Sequence, residues 1–169
     1  IITTYIEALA GDMENIIFVA GAVFSLGGIA GAIAAPLWGT FGARRGYFIA
    51  MGLAMALAGV VLSAQGIPNT LLPFAVMQFV GGLFLAGVQP SLNAVIAQHT
   101  PPQLKGSVFG MLFSAQQVGG FSGPLLGGVV ATCFGMHYLF PAAGSILLFL
   151  SLFVWWRYIM KEHTANAQT

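Results

Sequence analysis

The chain has 169 residues, of which 58% are hydrophobic and 5% charged, with five Lys or Arg, four Asp or Glu and a net charge of +1. A water-soluble domain is roughly 25% charged, so nine charges exclude a soluble enzyme and a disordered protein, and a net charge of +1 gives no electrostatic footprint for nucleic acid. What remains is a chain whose solvent is lipid.

The charges punctuate long apolar runs. These runs read as helices, because an open strand leaves its backbone unpaired in lipid and a β-barrel would show alternation. The first run covers 1–9 and is shorter than one crossing of about 20 residues. It starts at Ile1 with no signal peptide pattern, which fits a first helix cut short. Glu7, Asp12 and Glu14 follow, then a span at 15–38 whose small residues Gly27, Gly31 and Ala34 are candidate helix contacts. A short loop, 39–46, carries Arg44 and Arg45.

No charge lies between Arg45 and Lys105, a stretch long enough for two spans, at 47–64 and 71–97. The run Gln65, Gly66, Ile67, Pro68, Asn69, Thr70 is the turn between them. Within the second of these spans, Gln78, Gln89 and Asn93 fall within about 60° of one another on a helical wheel. Such a polar stripe in an apolar helix faces the protein interior or a watery cavity, either as substrate contacts or as glue between helices. Pro90 is expected to bend this span. His99, Thr100, Pro101 and Pro102 form the next loop.

A span at 106–134 follows, then a break near Gly135 to His137, a last span at 138–160 and a tail at 162–169. Tyr138, Trp155, Trp156 and Tyr158 suit interfacial anchoring. Loops alternate sides, which puts all five basic residues on one side and Glu7, Asp12 and Glu14 on the other. The basic side is therefore expected to be cytoplasmic, and with it the C-terminus. Cys133, the one cysteine, excludes an internal disulfide framework and reads as a small apolar residue.

The 106–134 span holds the most specific pattern. Gly110, Gly119, Gly123, Pro124, Gly127 and Gly128 are spaced so that 119, 123 and 127 form one narrow, smooth face, with Pro124 bending the helix beyond it. Gln116 lies near that face as a packing hydrogen bond, while Gln117 points about 100° away. This spacing resembles motif C of the major facilitator superfamily, a mark of its drug/proton antiporters found on helix five and copied on helix eleven. Gly39, Arg44, Arg45 and Gly46 are similar to a worn motif A of the same family. Ala43 stands there in place of Asp, and Tyr47 and Phe48 in place of a basic pair. Gln78 occupies the place where the N-terminal half of the family usually carries Arg.

The resemblance covers about 1–161 and implies an all-α, polytopic membrane helix bundle: the C-terminal half of the fold, helices seven to twelve, with its first helix truncated. It implies a secondary transporter in a bacterial inner membrane that exports drugs or other small amphipathic molecules by alternating access, coupled to protons. Its partners would be the lipid bilayer, a missing N-terminal six-helix half, a small-molecule substrate and protons, with no nucleic acid. Gln78, Gln89, Asn93 and Gln117 are the candidate cavity residues. No acidic residue lies deep in a complete span, so a coupling carboxylate is expected in the other half, with Glu7 the local alternative. No catalytic motif, metal set or cofactor fingerprint is present, and no enzyme is expected. A sugar or metabolite uniporter or symporter of the same fold, and a stand-alone membrane scaffold, remain as alternatives.

Overall fold

The computed structural model describes residues 16–68 and 70–166. The expected partial span at 1–9, with Glu7, Asp12, Glu14 and Asn15, and residues 167–169 lie outside the described residues. Helix α1 runs Ile16–Arg45, α2 Tyr47–Ala64, α3 Leu71–Leu85, α4 Val88–His99, α5 Lys105–Phe134 and α6 Met136–Asn166; a short 3-10 turn, Pro102–Leu104, precedes α5. Among the described residues there is no strand. Four stretches are long and apolar enough to cross a membrane: Phe18–Arg45, Tyr47–Ala64, Leu71–His99 and Tyr138–Ile159. Helix α5 has the length, but its glycines, serines and two glutamines leave it less apolar than those four.

Several boundaries differ from the sequence expectation, each for a local reason. The stretch from Gly39 to Arg45 is the end of α1, not a loop. It has no proline, and Arg44 and Arg45 in a last turn stabilise the negative end of the helix dipole. Only Gly46 connects α1 to α2. Its amide donates to Gly42 O at 2.9 Å and its own carbonyl accepts from Ala50 N, with φ at 99°, a conformation that favours glycine. Gly135, at φ 94°, makes the same kind of one-residue connection between α5 and α6. Helix α6 then continues through 162–166, part of the expected tail.

The expected span at 71–97 is two helices. The break falls at Ala86 and Gly87, one turn before Pro90. Proline lacks the amide that would pair with the carbonyl four residues back, and its ring crowds that carbonyl. For Pro90 this is the carbonyl of Ala86, so the disturbance appears there. The Gly87 amide turns to Phe84 O at 3.0 Å instead of the carbonyl of Leu83. The Trp38 indole of α1 then donates to Leu83 O at 2.8 Å. By contrast α5 is unbroken through Pro124.

Helix α2 is the best buried element, with Ala50, Met51, Gly52, Ala54, Met55, Ala58 and Gly59 enclosed. It packs most closely on α6, while α1 packs on α3. Close backbone approach makes both seams. A Cβ on Gly82 would lie 2.7 Å from the Cα of Gly27, and one on Gly144 would lie 2.6 Å from the carbonyl oxygen of Gly59. Ser151 Oγ donates to Gly52 O at 2.8 Å, and the Trp155 ring lies over Gly52, so Trp155 packs as well as sitting near a helix end. At one end of the bundle, Phe74 and Phe140 meet edge to face at 5.7 Å beside Ala20 and Val23. At the other, Phe48 lies 5.6 Å from the His99 ring and 6.5 Å from that of Tyr158. These contacts bring the α1–α2 turn, the end of α4 and the end of α6 together, and with them the stretches that carry Arg44, Arg45 and Arg157.

Candidate functional site

The break in the α3–α4 stretch divides the polar residues into two separate clusters. Gln78, on α3, accepts a hydrogen bond from Gln65 Nε2 at 2.5 Å. Gln65 is 1% exposed, because the C-terminal cap of α2 turns its side chain inward. The pair borders a cavity of about 680 Å³ that is otherwise lined mainly by α1 and α3. Gln78 therefore does not join Gln89 and Asn93. Those two, four residues apart on α4, line a smaller cleft of about 330 Å³ against Phe109, Leu112, Phe113 and Gln116 of α5. Across it Gln116 Nε2 donates to Gln89 Oε1 at 3.1 Å. Gln116 takes the place in the cleft that the sequence assigned to Gln117; Gln117 is exposed and does not line it. Gln116, three, seven and eleven residues before Gly119, Gly123 and Gly127, thus bridges to α4 from the glycine side of α5.

The glycines fall into two groups. Gly27, Gly52, Gly59, Gly82, Gly87 and Gly144 are pressed against neighbouring helices. Gly27 and Gly31 meet Gln78 and Gly82 of α3 and Ala86 at its end while also lining the larger cavity, and Ala34 is buried. Gly110, Gly119, Gly120, Gly123 and Gly128 have nothing within 4 Å of an added Cβ. Helix α5 as a whole has no buried residue and touches the rest along α6 and at a few points of α4. Pro124 on the same helix is exposed. Gly127 is partly covered. In the other motif, Gly39 also has open space around it, whereas a Cβ at Gly42 would meet the Tyr47 ring at 2.5 Å.

Gln65, read from the sequence only as the first residue of a turn, is a site residue that sequence reasoning missed. Gln116 was assigned to packing, and only the position of α4 reveals its partner. Among the described residues no group of three or more His, Cys, Asp or Glu is placed to hold a metal ion. Cys133 is a free, exposed thiol. The chemistry available in both clusters is neutral hydrogen bonding beside aromatic and aliphatic walls.

Comparison with known proteins extends this picture. The model of the Major Facilitator Superfamily matches residues 1–169. A multidrug resistance protein MdtG from Yersinia enterocolitica is 30% identical over 156 residues, covering 92% of this chain and 38% of that protein. MdtG of a Rahnella strain is 28% identical over 165 residues, 98% of this chain and 40% of that protein. MdtG of Salmonella typhimurium is 26% identical over 155 residues, 92% of this chain and 38% of that protein. The chain thus spans about two fifths of the length of the curated relatives it matches. No solved structure matches it.

Proposed function

The chain belongs to the major facilitator superfamily, and from that premise we propose that it forms the C-terminal six-helix half of a secondary transporter in a bacterial inner membrane. The complete transporter exports drugs or other small amphipathic molecules in exchange for protons, its two halves rocking about a shared midplane site. The relatives named as multidrug resistance proteins support the substrate class. The clustering of the basic helix ends supports a cytoplasmic C-terminus.

One observation carries the two-half mechanism. The closest helix seams in the described bundle use glycines, yet Gly110, Gly119, Gly120, Gly123 and Gly128 of α5 have open space around an added Cβ. A smooth face lets a second bundle approach and slide. Replacing Gly123 by Leu tests this. The new side chain meets nothing within this half, so membrane insertion and protein level should stay normal. Efflux by the intact transporter should fall to background, since the side chain would occupy the space of the opposite bundle. Near-normal efflux would overturn the proposed contact.

A facilitator without proton coupling is a second reading, favoured by the charge pattern. The acidic residues are Glu7, Asp12, Glu14 and Glu162, so the stretch between Glu14 and Glu162 has no carboxylate to titrate. A proton antiporter then needs its coupling carboxylate elsewhere. Accumulation of a fluorescent drug with and without a protonophore separates the two readings: only the antiporter loses its efflux.

A further inference from the structure

The α4–α5 cleft has a chemistry narrower than drug efflux in general requires, and its role as a binding site rests on the transport function already proposed. Gln89 and Asn93 are one turn apart on α4. Phe109, Phe113 and Gln116, at offsets of four and seven, form one face of α5. The cleft, about 330 Å³, has the volume of a small-molecule site, and none of its six lining residues is ionisable. Gln89, Asn93 and Phe113 are exposed, so the cleft is open, and a cationic guest would find no counter-charge among its lining residues. The amides are well supplied with unused groups. Gln116 and Gln89 share one hydrogen bond, and the Asn93 amide has no hydrogen-bond partner among the described residues.

We propose that this cleft binds uncharged aromatic molecules that carry an N–H carboxamide or lactam edge. Such an edge presents a donor and an acceptor side by side. Its N–H donates to Gln89 Oε1 and its carbonyl accepts from Gln116 Nε2, so two hydrogen bonds replace the one that now joins the helices. Phe109 and Phe113 take the aromatic ring. The guest has room to enter because α5 is held at only a few points of α4.

Equilibrium binding to the intact purified protein tests this with three probes of one ring system: 2-naphthamide, N,N-dimethyl-2-naphthamide and 2-naphthylmethylammonium. The primary amide should bind about tenfold tighter than the other two, the difference made by one neutral hydrogen bond. Gln89→Leu removes the acceptor for the N–H and should abolish the preference over the dimethyl amide. Gln116→Leu removes the donor to the carbonyl, should weaken both amides alike and so abolish the preference over the ammonium. Gln117→Leu, one residue off the cleft, should retain both preferences. Gln116→Glu replaces that donor by an anionic acceptor of similar shape, so it should favour the ammonium probe over the amide. Equal binding of the three probes, a preference over the dimethyl amide that survives Gln89→Leu, or no reversal in Gln116→Glu would overturn the assignment. Vesicle transport of the same probes reads the transport function separately. Selective binding without transport would sink that function alone, and transport without selective binding would sink the cleft alone.

Discussion

At the scale of single residues, glycine has two opposite uses in this chain, and composition alone cannot separate them. Most of the 23 glycines lie within helices and lower their side-chain volume. Only the position of a neighbouring backbone decides whether that volume matters. Gly82 and Gly144 sit where an added methyl would overlap backbone atoms of Gly27 and Gly59, which cannot swing aside as a side chain would. Replacing either by Ala should destabilise the bundle by about 1–3 kcal/mol, the usual range for overpacking. Thermal unfolding in detergent, followed by helical circular dichroism, would show this as a lower midpoint. Gly110 is the contrasting case. It has open space around it, and Ala is the better helix former by about 1 kcal/mol. Gly110→Ala should therefore leave the midpoint of this chain unchanged or raised. An equal loss in all three variants would mean that the close seams are not where the stability lies.

At the scale of elements, the sequence revealed that helices exist but not where one of them breaks. Long charge-free apolar runs are visible because lipid admits no other backbone, and the proline and glycine turns at 65–70 and 135 mark ends directly. The wheel that united Gln78 with Gln89 and Asn93 assumed one continuous helix across Pro90. The break at Ala86 and Gly87 interrupts that helix, and the wheel also ignores axial distance: Gln78 and Gln89, eleven residues apart, are separated by about 16 Å along the axis, so Gln78 meets Gln65 while Gln89 meets Gln116. Gln116 was hidden for another reason: its partner lies on a different helix, and no periodicity within one helix reports that. The same break explains Trp38. With the Gly87 amide turned to Phe84, the carbonyl of Leu83 needs a donor, and the indole supplies it. A Cβ on Gly87 would meet the same indole at 2.5 Å, so the two residues fit as a pair. Trp38→Phe keeps an aromatic ring there but removes the donor. Leaving a part-buried carbonyl unpaired costs about 1–3 kcal/mol. Hydrogen exchange at Ala86 to Val88 should accelerate about tenfold or more in Trp38→Phe, with exchange in α2 unaltered. Unaltered exchange at the break would show that the indole hydrogen bond does not hold it.

For the whole molecule, the distribution of burial among the described helices is uneven. Helix α2 is enclosed, whereas α5, the less apolar of the two, has no buried residue at all. In a membrane an exposed apolar helix is not itself a defect, because lipid covers it as readily as protein does. What lipid does not explain is a face stripped of side chains, since glycine gains nothing from contact with acyl chains and weakens the helix. The two-half proposal gives that face an occupant, and it makes a prediction separate from transport. Cys133 is first replaced by Ser to remove the exposed native thiol. A cysteine at Gly119, where the added side chain has open space, is then labelled with a membrane-permeant maleimide. In the 169-residue chain alone, labelling should be fast. In the intact transporter it should be slow, and its rate should change when substrate shifts the halves between their two orientations, because the face is covered more in one than in the other. A cysteine at Leu112, which lines the α4–α5 cleft without a role in holding the guest, gives the complementary reading. Its labelling should fall when an amide probe occupies the cleft, whichever way the halves face. Equal labelling at Gly119 in the chain and in the intact protein would mean that the glycine face meets lipid, and the account of α5 as the sliding surface would fail.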